Sequence, residues 1–337
     1  MTPRERVWAA LRGGRPDRPP ISFWGHFYDR ESSARDLADA TLEFRETYRW
    51  DWVKLNPRRQ YHAEPWGVRH RYTGLRTEKP TLESWPIRRP EDWAGIAKRP
   101  HDGGALGEQI EAVRLVRRGL PADVPLLATV FTPLAILREM VPDPGEVALA
   151  MRAQPHGVRA ALDAVAATFE PFVRELLRAG ADGIYFATVD WATHDRLSPA
   201  EYREWARPTD LQLLAAAAGA PFNVLHVCKS RNLLFELADY PVSAFSWSAT
   251  DATNPTLAAG LARLPGATMG GISHDAALLD AAPQRAVEEF RRALEVTGGR
   301  RWLAAPGCSI PPATPAGTLV ALRSAAEAAT LAAEPRS

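Results

Sequence analysis

The chain has 337 residues, 46% of them hydrophobic and 24% charged, and a formal net charge of +1 at pH 7. That balance suits a globular protein and supplies no excess charge for nucleic acid or an anionic membrane surface. No run of about 18 apolar residues offers a membrane-spanning helix. The charged start Met1-Thr2-Pro3-Arg4-Glu5-Arg6 lacks the apolar region of a signal peptide, so a cytoplasmic location is expected.

Thr2 followed by Pro3 predicts the cap and first position of a helix to about Gly13. A proline-stiffened lead-in, Arg15 to Pro20, precedes a first short strand, Ile21 to Gly25, with His26 just past its end. A helix over about 33–48 and a second strand, Trp52 to Asn56, follow. Residues 60–81 carry aromatics, glycine and charge without helical period and read as a hairpin-like excursion over the top of the fold. After an irregular stretch over 90–104, a helix over 106–118 leads to a third strand, Leu126 to Phe131.

Two or three helices fill 133–178 before a fourth strand, Gly183 to Thr188, with Asp190 beyond it. Ser198-Pro199-Ala200-Glu201 predicts a capped helix running to about Ala218. Further strands are expected at Phe222 to Val227, Ala244 to Trp247, Thr268 to Ile272 and Trp302 to Ala305. Helices are expected at 232–238, 256–264, 284–296 and 318–329. Unbroken apolar runs fit strands buried on both faces, and eight strand–helix units predict an α/β fold, a (β/α)8 barrel with an extra N-terminal helix and inserted helices. No linker divides the chain, so residues 1–337 read as one domain. A doubly wound sheet is the alternative, but no Gly-x-Gly-x-x-Gly turn follows the first strand.

In such a barrel, chemistry sits at the C-terminal ends of the strands. The polar residues there are His26, Asn56, Thr132, Asp190, His226 with Cys228, Asp251 near Trp247, His274 and Cys308. His226 and Cys228 are two residues apart on one strand face, so their side chains converge. The chain holds two cysteines, and the other, Cys308, also ends a strand. A cysteine at a buried strand end is more often a small hydrophobe and a histidine more often a bonded core residue. Both cysteines and a histidine on one rim make His226, Cys228 and Cys308 a candidate zinc site. Its fourth position would take water, substrate, or the carboxylate of Asp190 or Glu64. Two thiolate ligands suit holding a thiol as its thiolate more than activating water.

His26 and His274 are candidate catalytic residues lining the pocket, each against the plainer reading of a bond to a loop carbonyl. Asp190 is a candidate ligand or an orienting partner for His226, against a helix-cap acid. Trp24, Trp191 and Trp247 could form a flat apolar wall for a cofactor or an aromatic substrate, against the plainer reading of ordinary barrel packing, with Trp24 and Trp247 the foremost candidates. No nucleophile elbow, phosphate loop, His-Glu-x-x-His or EF-hand pattern occurs.

Several stretches resemble the uroporphyrinogen decarboxylase-like superfamily: Arg15-Pro16-Asp17-Arg18-Pro19-Pro20, Leu197-Ser198-Pro199-Ala200-Glu201-Tyr202-Arg203-Glu204-Trp205, and Pro306-Gly307-Cys308-Ser309-Ile310-Pro311-Pro312-Ala313-Thr314-Pro315. The resemblance covers nearly the whole chain and implies a (β/α)8 barrel. It reaches more distantly to cobalamin-independent methionine synthase. The superfamily's zinc-dependent corrinoid:thiol methyltransferases, of the methylcobamide:coenzyme M type, carry a His-x-Cys…Cys motif that matches His226, Cys228 and Cys308. Its decarboxylases carry Arg-Gln-Ala-Gly-Arg-Tyr after the first strand, where this chain has Gly25-His26-Phe27-Tyr28-Asp29-Arg30. Both clamp arginines are missing, and Cys308 stands where the decarboxylases have a Gly-His-Gly histidine.

The resemblance therefore implies a Zn²⁺ methyltransferase that takes a small thiol and meets a corrinoid on a separate protein, in a barrel that pairs as a homodimer. The competing readings are a uroporphyrinogen decarboxylase-type carboxy-lyase and a non-catalytic corrinoid- or metal-binding accessory protein.

Overall fold

The computed structural model describes residues 1–330. Helix α1, Pro3–Leu11, opens the chain inside a reciprocal cap: Glu5 N donates to Thr2 Oγ1 at 3.2 Å, and Thr2 N to Glu5 Oε2 at 2.8 Å. The elements that follow are α2 (Ala34–Tyr48), β1 (Val53–Leu55), β2 (Arg69–Arg71), β3 (Thr81–Ser84), α3 (Gly104–Gly119) and β4 (Leu126–Phe131). Next come α4 (Pro133–Arg138), α5 (Gly145–Ala153), α6 (Pro155–Arg178), β5 (Gly183–Ala187), α7 (Pro199–Trp205), α8 (Arg207–Ala216) and β6 (Val224–Val227). The last are β7 (Ala244–Trp247), α9 (Leu257–Arg263), β8 (Ala267–Ile272), α10 (Gln284–Thr297), β9 (Trp302–Pro306) and α11 (Ala316–Ala328).

Seven strands form one parallel sheet in the order β1-β4-β5-β6-β7-β8-β9. The expected first strand fills the gap between β9 and β1, but as isolated bridges. Ile21 pairs with Ala304 and Gly25 with Ile310, both in parallel. Ala304 N donates to Pro20 O at 2.9 Å and Ile310 N to Trp24 O at 2.8 Å. On the β1 side, Asp51 N donates to Ile21 O at 3.0 Å, and the Ser22 hydroxyl donates to Trp52 O at 2.7 Å. Pro19 and Pro20 have no N–H to give, and a side chain replaces one ladder bond, so the segment closes the ring without becoming a regular strand.

Three other expectations are adjusted. The excursion over 60–81 is two short 3₁₀ turns, Arg59–His62 and Glu64–Trp66, followed by the antiparallel pair β2–β3. The helix expected over 198–218 breaks at Ala206 into α7 and α8, just before Pro208, which has no amide proton to continue the ladder. The helix expected over 232–238 is a single 3₁₀ turn, Leu234–Leu237. Among the described residues no helix is long and apolar enough to cross a membrane.

Two-residue alternation sorts each strand into an inner and an outer face. Trp52, Leu127, Tyr185, Val224, Ala244, Met269 and Leu303 belong to the core inside the barrel, which Val7 and Ala10 of α1 join. Their i+2 neighbours therefore also face inward, which puts Lys54, His226 and Ser246 inside. Outer-face residues such as Ile184, Phe186, Leu225 and Trp247 pack against the helices. At Gly271 of β8, φ is +107° and a Cβ would lie 2.8 Å from Ala293 Cβ, so glycine lets α10 seat against the strand.

Candidate metal centre at the barrel mouth

The C-terminal ends of the strands open into a cavity of about 590 Å³ whose lining includes Trp24, Lys54, Tyr185, His226, Cys228 and Cys308. His226 lies within β6, and the register places it directly opposite Ser246 of β7. Its Nδ1 is 3.1 Å from Ser246 Oγ, which in turn is 3.1 Å from the Tyr185 hydroxyl. This network turns the other ring nitrogen, Nε2, toward Cys228, whose sulfur is 2.7 Å away. Cys308 follows β9; Gly307 N donates to Ile272 O at 2.9 Å, and a Cβ on Gly307 would lie 2.8 Å from Ser248 Oγ. Glycine at that close approach lets the chain carry Cys308 over the mouth.

The donor atoms of His226, Cys228 and Cys308 all lie within 4.8 Å of one another. One nitrogen and two sulfurs make a donor set suited to zinc, and a bonded distal ring nitrogen is the usual support of a metal-binding imidazole. Donors on one tetrahedral zinc sit roughly 3.6 Å apart. The Nε2–Sγ separation is shorter, so a small side-chain rotation would admit the ion. The two thiols are linked electrostatically. The Cys228 thiol, with help from His226, draws Cys308 well below the usual thiol range; the hydrogen bond to Cys308, and then burial, push Cys228 well above it. One cysteine thus holds thiolate character while the other keeps its proton.

The carboxylates considered for a fourth position lie elsewhere. Asp190 Oδ2 is 3.6 Å from Arg138 Nε, and Glu64 binds the Arg58 guanidinium through both oxygens at 2.6 and 3.0 Å. Neither joins the His226–Cys228–Cys308 group. His26 lines the cavity with Nδ1 2.8 Å from Glu31 Oε2. His274 also lines it, and its Nδ1 is 3.9 Å from the Asp275 carboxylate, beyond hydrogen-bond reach. Trp24 is part of the wall, but Trp247 is not, because Ser246 takes the inward position and its neighbour must point outward. Trp247 Nε1 donates to Pro255 O at 2.6 Å on the helix side, and Trp191 is likewise buried away from the cavity.

The residues not foreseen are those that surround the ligands. Lys54 lies in the barrel interior with Nζ 4.6 Å from the Tyr185 ring centre and 5.5 Å from that of Trp24. Arg59 pairs with the buried Glu139. Glu31 and Ser246 orient histidines from inside the protein. A charge inside the otherwise apolar run Val53-Lys54-Leu55 was the one legible signal among these.

The family model described as Uroporphyrinogen decarboxylase (URO-D) matches residues 2–329. The methylcobamide:CoM methyltransferase MtaA of Methanosarcina barkeri is 26% identical over 253 residues, which is 74% of this chain and 71% of that protein. A methyltransferase structure from Methanosarcina mazei superposes with a TM-score of 0.84 at 22% identity, covering 97% of this chain and 99% of the other. A B12-independent methionine synthase from Shewanella, solved with selenomethionine, gives a TM-score of 0.63 at 14% identity over 92% and 97% of the two chains. These likenesses bear out the barrel expected from the strand–helix tally. With the family model spanning all but the ends, the chain belongs to the uroporphyrinogen decarboxylase (URO-D) family.

Proposed function

We propose that the chain is a cytoplasmic, zinc-dependent methyltransferase of this family, which takes a small thiol as acceptor and a methyl group from a corrinoid carried by a separate protein. The observation that carries the reading is the convergence of His226 Nε2 and the Cys228 and Cys308 sulfurs within 4.8 Å at the wall of a large cavity. The curated relative's name, methylcobamide:CoM methyltransferase, supports the same reaction class.

Zinc bound there would supply a Lewis acid that keeps an arriving thiol in its thiolate form. The chain's own residues do the rest. Ser246 holds the His226 ring so that Nε2 stays aimed at the ligand group. Trp24, Phe131, Ile310 and Pro311 give the cavity apolar wall against which an acceptor and a donor face can exclude water. His26, fixed by Glu31, is the candidate to receive the acceptor's proton. The acceptor sulfur forms its bond to methyl as the donor's bond breaks, and that electron pair stays with the donor. Asp190 supports the mouth through Arg138, and His274 lines the same cavity as Cys308 as a further polar group of the wall.

A decarboxylase would need cationic clamps for its substrate carboxylates. Two arginines line the cavity, but Arg59 is taken by Glu139, and Arg138 lies between Glu139 at 3.7 Å and Asp190 at 3.6 Å. That occupancy favours the methyltransferase.

Metal analysis tests the reading. Protein purified at pH 7 without chelator is expected to hold about one zinc per chain. Cys228→Ser and Cys308→Ser are expected to lose both metal and methyl transfer to a thiol. Zinc-free native protein that decarboxylates uroporphyrinogen would overturn it.

A further inference from the structure

Lys54 is a cation in a position where a barrel interior ordinarily holds an apolar side chain. It sits on the inward face of β1 between Trp52 and Asn56, and the residue is only 5% exposed. Its ammonium hydrogen-bonds Asn56 Oδ1. Asn56 Nδ2 donates to Gly25 O at 3.1 Å, which keeps the amide oxygen turned toward the lysine. The remaining space around Nζ is ring: Tyr185 at 4.6 Å and Trp24 at 5.5 Å. Among the described residues no carboxylate pairs with it. The cavity's arginines differ in this respect, since Arg59 and Arg138 both have acids beside them.

An ammonium buried without a counter-ion is costly, and a fold keeps one where a negative charge meets it. The Tyr185 ring against which Lys54 packs is also 5.1 Å from the His226 ring, so the lysine lies one side chain away from the ligand group. Burial lowers Lys54 to about 7, and the charges that oppose this are those of Cys308 and Cys228.

We propose that Lys54 is the fixed counter-charge that lets this centre take up its acceptor as a thiolate. The inference rests on the metal reading given above. A divalent ion with two cysteine thiolates and a neutral imidazole is formally neutral. An acceptor thiolate brings one further negative charge into a water-poor barrel, while its proton passes to His26 and from there to bulk water. Lys54 supplies the matching positive charge without pairing to the acceptor's tail, because Asn56 and the Tyr185 and Trp24 rings hold its ammonium against the cavity wall.

Cobalt-substituted protein gives a readout independent of methyl transfer. Thiolate-to-cobalt charge-transfer absorption is titrated with 2-mercaptoethanol, whose tail is neutral, and with 3-mercaptopropionate, whose tail is anionic. Lys54→Met is expected to retain cobalt and to weaken both thiols alike, on the order of tenfold or more. Lys54→Gln, which keeps the bond to Asn56, is expected to do the same. Unchanged affinity for both thiols overturns the inference while leaving the metal reading standing. So does a loss confined to 3-mercaptopropionate, which would make Lys54 a tail-binding residue. Loss of cobalt from both variants with the fold intact overturns it too, as a sign that the lysine serves metal retention. Wild-type protein that binds neither cobalt nor zinc overturns both the inference and the reading beneath it.

Discussion

Nδ1 of His26 lies 2.8 Å from Oε2 of Glu31, and Glu31 is fully shielded from solvent. The other Glu31 oxygen is buried with no hydrogen-bond partner among the described residues. The imidazole is therefore this carboxylate's principal partner, and an Nδ1–H donated to Glu31 leaves the Nε2 lone pair for the cavity. The Tyr28 ring stacks on His26 at 5.0 Å between centroids and fixes the ring plane.

That arrangement makes His26 the proton acceptor expected in the proposed reaction. His26→Asn is expected to slow methyl transfer by about 10²- to 10⁴-fold at unchanged zinc content. Glu31→Gln acts only through the ring and is expected to cost less, with partial recovery in Glu31→Asp. Single-turnover rates measured beside metal content check this. A His26→Asn enzyme as fast as wild type would remove the histidine from the chemistry.

Asp51 organises the opposite end of the barrel. Its carboxylate accepts from Arg18 at 2.7 and 2.8 Å, from Arg6 at 2.9 Å, from Arg323 at 3.3 Å and from the Ile21 amide at 2.9 Å. Asp51 precedes β1, Ile21 begins the bridging segment and Arg323 lies on α11, so one acid ties both termini of the barrel to its closing seam. Asp51→Ala leaves the Arg18 guanidinium without a carboxylate in a nearly dry site, while Arg6 keeps Asp17 and Arg323 keeps Glu327, and is expected to cost about 3–5 kcal/mol of stability. Urea unfolding at neutral pH measures it, and a change below about 1 kcal/mol would show that water takes the carboxylate's place.

A buried acid on α8 predicts a pH dependence of stability. Burial raises the Asp210 carboxyl to about 7, although the hydroxyls of Tyr202 at 3.0 Å and Tyr240 at 2.9 Å partly stabilise its charge. In the unfolded chain it titrates near 3.9. Between roughly pH 4 and pH 7 the folded state binds the extra proton, so stability falls as pH rises through that window. Below it both states are protonated and the effect vanishes; above it the penalty is complete. Asp210→Asn cannot ionise and is expected to flatten this slope. Urea midpoints of both proteins from pH 5 to pH 8 check it, and parallel curves would exclude Asp210 as the source.

Much of the site was legible before the structure because it is local or periodic. His226 and Cys228 share a strand face by two-residue alternation, whatever the rest of the chain does. Strand ends in a barrel share one rim, which links Cys308 to them at long range. Trp247 was expected in the cavity wall, yet alternation along Ala244-Phe245-Ser246-Trp247 lets only one of Ser246 and Trp247 face inward. Trp247 lies outside the cavity because Ser246 is the residue facing in.

What the sequence by itself determined is the pattern: strand–helix units, two cysteines and a histidine at strand ends, and the missing arginine pair after the first strand. What only the tertiary structure decided is which charges meet. Asp190 went to Arg138 and Glu64 to Arg58, while Lys54 came to rest beside the ligand group without an acid of its own. Strand periodicity sets the direction of a side chain within one element. The partner of a charge depends on how far neighbouring strands and loops carry other long side chains across the barrel, a distance set by packing and shear rather than by spacing along the chain.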